Sequence, residues 1–207
     1  MDTLASQGAR NRSRKKIILA PHHTVKNLQF ELHMSNFIRY ADFFLTLPNI
    51  FSSIDFVFRP HPLLFYNLEE AGIWDSNNIN LFLQKLQSFE NMEFDEKDSY
   101  MDLFANSDGL IHDCGSFTGE YLFTGKPACF LLDEQGNHEE FTPLGENCLG
   151  NHYLAKSEEE IIAFIDRIII QGDDYKKEDR DYYASNKLKI NYPNVGKRIF
   201  EELNSTT

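Results

Sequence analysis

Three short clusters in this chain combine residue types that handle anions and protons. Arg59-Pro60-His61-Pro62 sets a guanidinium and an imidazole two residues apart, each followed by a proline. The prolines fix two φ angles and keep the segment extended, so Arg59 and His61 are expected to project to the same side. A guanidinium and an imidazole held that way suit a pair of phosphate oxygens. The plainer alternative is a turn whose arginine is solvated and whose histidine packs. The second cluster is His112-Asp113-Cys114-Gly115-Ser116-Phe117-Thr118, at the end of a short apolar run and the start of a helix. Gly115 allows close approach of a ligand, and the Ser116 and Thr118 hydroxyls add donors beside the free amides of the helix start. Glu120 falls on the first helical turns, where a carboxylate accepts hydrogen bonds from ribose hydroxyls; a charge that merely favours a helix N-terminus is the alternative. Asp113 is expected to orient the turn. Cys114 is expected to be structural, because nothing in the sequence sets a base beside it.

The third cluster is His22-His23-Thr24. One of these imidazoles is a candidate proton-transfer group, and the other a cap or packing residue. A zinc site needs further ligands, and His33, His112, His138 and His152 supply no suitable spacing, so no metal is expected. His112 is expected to be buried and hydrogen-bonded at a strand end.

Alternating elements must position these clusters. Ile17 to Ala20, Ile54 to Phe58, Met92 to Phe94, Gly109 to Ile111, the run opened by Pro127, and Tyr153-Leu154 read as strands. Helices are expected over Glu31 to Leu47 with Pro48 as a stop, Leu63 to Ala71, Ile79 to Phe89, Tyr100 to Asn106 capped by Ser99, and from the second cluster to Gly125. Asp133 to Asn151 reads as a loop. Ser157-Glu158-Glu159-Glu160 fits a capping box before a helix with an isoleucine face, and two polar helices, about Asp173 to Leu188 and Val195 to Leu203, follow. The run Asp173 to Arg180 reads as a solvated charged face. Such alternation predicts an α/β fold, a Rossmann-like parallel sheet with helices on both faces. Ligands of such sheets sit beyond the carboxyl ends of the strands, where all three clusters fall.

The totals bound the function. With 207 residues, 42% hydrophobic content and 18 phenylalanines, residues 17–207 are read as one domain after a basic arm or interdomain linker at 1–16. A net charge of −12 argues against nucleic acid as a partner and against broad adsorption to anionic lipid. Three cysteines without metal spacing suit a reduced, cytoplasmic setting, and no apolar run is long enough to span a membrane.

Taken together, Arg59-Pro60-His61-Pro62, Ser107 to Ser116 and Gly125-Lys126-Pro127 resemble the carboxyl-terminal half of CDP-glycerol glycerophosphotransferases, the wall teichoic acid and capsule polymerases. Ala20-Pro21-His22-His23-Thr24 is similar to the first strand end of that half. The resemblance covers about Lys16 to Leu132 and, more loosely, the terminal helices. It implies one half of a GT-B fold, with His61, Ser116 and the Phe117 backbone on the donor pyrophosphate, Thr118 beside them, and Glu120 on the ribose. The family usually has Asp-Tyr-Ser-Ser where this chain has Asp113-Cys114-Gly115-Ser116, a version closer to nucleotide-sugar epimerases and glycosyltransferases.

The expectation is a donor-binding domain of a transferase that moves glycerol phosphate, or another polyol or sugar phosphate, from a CDP-activated donor to a polymer acceptor. Arg59, His61, His22 and His23 are the candidate catalytic residues; Arg59, His61, Gly115, Ser116, Phe117, Thr118 and Glu120 are the candidate donor-binding ones. No resident cofactor is implied, since the CDP- or UDP-activated donor is a substrate. The acceptor half is expected from a missing amino-terminal half or a partner subunit, and contact with the membrane only indirectly, at its inner face. The rivals are a UDP-sugar glycosyltransferase, a self-sufficient epimerase-like or phosphate-ester hydrolase domain using His22 or His23 as base, and a non-catalytic nucleotide-binding or docking module.

Overall fold

The apolar runs pair into a six-stranded, all-parallel sheet in the computed structural model, which describes residues 14–29, 32–139 and 141–205. The strands are β1 (Lys15–Ala20), β2 (Ile54–Phe58), β3 (Met92–Phe94), β4 (Gly109–His112), β5 (Ala128–Leu131) and β6 (Tyr153–Ala155), in the order 3-2-1-4-5-6. That is the Rossmann order, with its switch point between β1 and β4. β1 is central: it pairs with β2 from Lys15 to Leu19 and with β4 from Ile17 to Ala20. Its last four residues are all buried, as a strand covered on both faces must be.

Side-chain alternation along β1 divides the core. Ile17 and Leu19 join a large cluster with Phe37 and Tyr40 of α1 (Phe37–Phe44), Leu64 and Leu68 of α3 (Leu64–Glu70), and Phe82 and Leu86 of α4 (Ser76–Gln87). α2 (Leu47–Ile50) is one turn between α1 and β2. Ile18 and Ala20 face the other layer, where Phe104 of α5 (Met101–Asn106) and Tyr121 pack. Tyr121 opens the 3₁₀ turn, Tyr121–Thr124, that follows α6 (Gly115–Glu120) and ends at Gly125 with φ +71°. The remaining helices are α7 (Pro143–Leu149), α8 (Glu158–Ala163), which widens into a π-helical stretch over Phe164–Ile170, α9 (Lys177–Tyr183), and α10 (Val195–Ser205). No helix among the described residues is long and apolar enough to cross a membrane.

Several boundaries differ from the expectations, each for an identifiable reason. The helix expected from Glu31 starts at Phe37; Glu31 itself lies outside the described residues. The backbone before it is drawn into tertiary bonds, Met34 N–H to Thr24 Oγ1 at 3.0 Å and Asn36 N–H to Asp113 Oδ2 at 2.6 Å, so it cannot close helical turns. Pro48 does not stop structure but sits in the first turn of α2, where its missing N–H costs nothing. α4 begins three residues before Ile79, because Asp75 and Asn78 form a reciprocal capping box. The stretch expected as loop contains α7, whose start is fixed by Thr142 Oγ1 accepting from Gly145 N–H. At Ser157 only half of a capping box forms: Ser157 accepts from Glu160 N–H, while the Glu160 carboxylate turns back to Lys156 N–H. The run Asp173 to Arg180 is not a solvated face throughout. Arg180 is fully buried, gives two hydrogen bonds to the Asp174 carboxylate, and a third to Gly125 O at 3.1 Å, tying α9 to the end of the α6 segment. Lys15 and Lys16 of the expected arm belong to β1, Arg14 pairs with Asp55 at 3.2 Å, and Arg10 and Arg12 lie outside the described residues.

Candidate active site at the sheet switch point

The segment after β2 keeps pairing with the segment after β1. Arg59 N–H donates to Leu19 O at 2.8 Å and His61 N–H to Pro21 O at 3.0 Å. Pro60 and Pro62 stand at the intervening positions, which owe no hydrogen bond to this ladder. Arg59 and His61 therefore continue the strand alternation on one side, and both line a cleft of about 260 Å³. Ala20, Pro21, Tyr100, Asp98, Cys114, Ser116 and Phe117 complete the wall. The cleft thus lies over the carboxyl ends of β1, β2 and β4.

Asp113 holds the two sides together. Its carboxylate is buried and accepts His22 N–H at 2.6 Å through one oxygen and Asn36 N–H at 2.6 Å through the other. One side chain after β4 thereby fixes both ends of the loop after β1. Burial pushes its carboxyl up to about 7 against the pull of these backbone donors.

Arg59 does not enter the cleft as a free cation. It pairs with Asp95, at the end of β3, and donates to Lys97 O at 2.7 Å. Its guanidinium carbon lies 5.6 Å from the centre of the Tyr100 ring, and Tyr100 OH donates to the Glu120 carboxylate. Burial and that carboxylate push the Tyr100 phenol up to about 12. Asp95, Arg59, Tyr100 and Glu120 so form one chain of contacts along a wall of the cleft.

The histidines form a cluster. The His23 ring centre is 3.9 Å from that of His61 and 4.4 Å from that of His22, and His22 and His61 are 5.5 Å apart. His61 lines the cleft, with His22 and His23 beside it. Each Nδ1 faces a donor: Leu63 N–H at 3.1 Å for His61, Thr24 N–H at 3.3 Å for His22, and the Asn67 amide at 2.9 Å for His23. An Nδ1 that accepts leaves the ring proton on Nε2. Burial, then the neighbouring imidazoles, push His22 and His61 down to about 4; burial also lowers His23. Near neutral pH the three imidazoles consequently stand at the cleft as neutral N–H donors rather than as charges.

The turn after β4 divides its groups between inside and outside. Ser116 is exposed at the cleft, and Phe117 packs against Tyr100 and Phe104. Thr118 is buried, and its hydroxyl donates to Cys114 O at 3.1 Å. Gly115 gives room on the opposite side: a Cβ there would meet Met34 Cε at 3.3 Å and the Phe141 ring at 3.6 Å. Cys114 is buried, as expected of a structural residue, and burial raises its thiol pKa. Behind the turn, His112 and His152 are fully buried and linked Nε2 to Nδ1 at 3.3 Å, and His152 Nε2 donates to Thr118 O at 2.9 Å. Arg59, His61, Ser116 and Phe117 are thus brought to one cleft, with His22, His23 and Glu120 at its margin. Reading the sequence missed Tyr100 and Asp95. The rule that polar residues follow strand ends would have flagged Asp95, directly after Phe94.

No protein-family model matches the chain, and no curated protein matches it. Among solved structures, the wall teichoic acid polymerase TagF matches 94% of this chain with a TM-score of 0.59 and 17% identity, the chain spanning 43% of that structure. UDP-GlcNAc 2-epimerase from Neisseria meningitidis, bound to UDP-GlcNAc, matches 82% with a TM-score of 0.54 and 17% identity; here the chain spans 39%. The Methanocaldococcus jannaschii epimerase matches 73% with a TM-score of 0.50 and 17% identity. At such identities the likeness is one of fold. The chain has a Rossmann-like α/β fold like one half of a GT-B-like architecture, and it spans under half the length of the structures it matches.

Proposed function

We propose that this chain is the donor-binding domain of a transferase that moves glycerol phosphate, or a related polyol or sugar phosphate, from a CDP-activated donor to a cell-surface polymer such as teichoic acid or capsule. The observation that carries this reading is the convergence of Arg59, His61 and Ser116 on one cleft at the sheet switch point. In this reading the diphosphate lies along His61 and Ser116, the Phe117 backbone adds a donor, and Glu120 accepts from the ribose. His61 and Arg59 then stabilise the charge that grows on the nucleotide as it leaves; donors fixed beforehand are suited to this because they need no reorganisation. The acceptor and its general base would come from a second half or a partner subunit, at the inner face of the membrane. The span of 43% of the TagF structure supports that division.

A second reading, a UDP-sugar glycosyltransferase or epimerase-like enzyme, is favoured by Cys114-Gly115 at the turn and by the likeness in fold to the epimerases. A thermal-shift titration with CDP, UDP, CDP-glycerol and UDP-GlcNAc separates the two. A rise in melting temperature with the cytidine ligands supports the first, and a rise with the uridine ligands alone transfers the assignment to the second. No shift with any of the four would sink both.

A further inference from the structure

We propose that the His22–His23–His61 cluster takes up one proton from solvent when a diphosphate binds, making the cleft a proton-coupled receptor for the diphosphate of an activated donor. The inference rests on the donor-site reading above. Three imidazoles with ring centres 3.9 to 5.5 Å apart cannot all be charged, and in the free protein burial, joined at His22 and His61 by repulsion from neighbouring imidazoles, favours their neutral forms. Each already has a donor at Nδ1, so a proton gained on binding would have to displace that contact at one ring, while Nε2–H groups remain to meet the phosphate oxygens. His22 Nδ1 meets the Thr24 hydroxyl at 2.9 Å as well as its N–H, and His23 Nδ1 meets the Asn67 amide at 2.9 Å, whereas His61 has one backbone N–H at 3.1 Å on an exposed turn, which makes it the ring best placed to gain the proton.

Among the described residues, most charged and titratable groups around the cluster are committed to other partners. From the end of β3, Asp95 is committed to Arg59 and Lys97, and Asp98 sits exposed at the rim. From the end of β4, Asp113 spends both oxygens on backbone N–H groups, and the Cys114 thiol is held protonated by burial. From α5 and α6, Tyr100 and Glu120 are bonded to each other. α3 contributes the neutral Asn67. A diphosphate would thus add the uncommitted negative charge that favours an imidazolium. A second imidazolium at this separation is repelled by the first, which limits the uptake to one.

Isothermal titration with CDP-glycerol and with UDP-GlcNAc tests this, since neither diphosphodiester titrates near neutral pH. Run at about pH 6.5 in PIPES and in Bis-Tris, whose ionisation enthalpies differ, the titrations report protons exchanged; we expect an uptake of about 0.5–1 proton per ligand bound. Affinity should tighten roughly threefold to tenfold between about pH 8 and pH 6. His61→Asn, which keeps a donor and an acceptor but cannot hold the proton, should cut the uptake to less than half. Binding with the same heat in both buffers and no pH dependence overturns the inference and leaves the donor site standing. Failure of both ligands to bind overturns the donor-site reading and the inference with it.

Discussion

Arg59, proposed above for the chemistry, also serves the architecture. Its guanidinium, nearly buried, neutralises Asp95, which is 4% exposed, and it also lies against Tyr100 at the cleft. Replacing it strands a buried carboxylate, and breaking such a pair from one side costs about 3–5 kcal/mol. We therefore expect Arg59→Leu to lower stability in urea denaturation by about 3 kcal/mol, and Arg59→Leu with Asp95→Leu to recover much of the loss. A neutral Arg59→Leu would show that Arg59 is not structural. From the sequence, Arg59 and His61 were identifiable as a pair with a common direction, because the two prolines encode it. That Arg59 arrives already paired was not legible, since Asp95 is 36 residues away and meets it only because β3 lies beside β2.

At the scale of elements, β4 and the turn after it depend on small residues packed under larger ones. A Cβ on Gly109 would fall 2.6 Å from Ile169 Cδ1 in the π-helical continuation of α8. Gly109→Ala forces that side chain to move within a filled core, a change that costs about 1–3 kcal/mol. The urea midpoint should fall accordingly; an unchanged midpoint would mean that α8 shifts freely against the sheet. Strands and most helices were legible because apolar periodicity and caps are local signals. The start of α1 was not, because Asp113 takes the Asn36 N–H from 77 residues away. Nor was α7, where Gly145, Gly150 and Pro143 suggest loop while the Thr142 cap and Pro143 at the first position start a helix.

Across the whole molecule, the histidines link the fold to pH. His22, His61 and His152 are pushed down to about 4, and His112 well below its usual value, burial being the first cause in each. Unfolded, each would bind a proton near pH 6.5, so the unfolded chain holds more protons below that value. Their contribution is intact above about pH 6.5 and is lost as pH falls toward 4; fully buried His152 alone accounts for about 3 kcal/mol. Asp113 acts in the opposite sense, since its raised carboxyl is penalised as pH climbs through the same range. With His23, also lowered by burial, five histidines oppose one carboxyl, and denaturation midpoints should fall between about pH 6.5 and pH 4.5; a level or rising midpoint would show that Asp113 dominates. In the proposed function, the same neutrality makes the imidazoles at the cleft a cradle of N–H donors for an anion. The central claim, that this cradle holds a nucleoside diphosphate through His61, is tested most directly by titrating the parent chain and His61→Ala with CDP and UDP in a calorimeter. The account predicts saturable one-to-one binding to the parent that is weakened about tenfold or more in the variant; equal affinity in the two chains, or no binding to the parent, would contradict it.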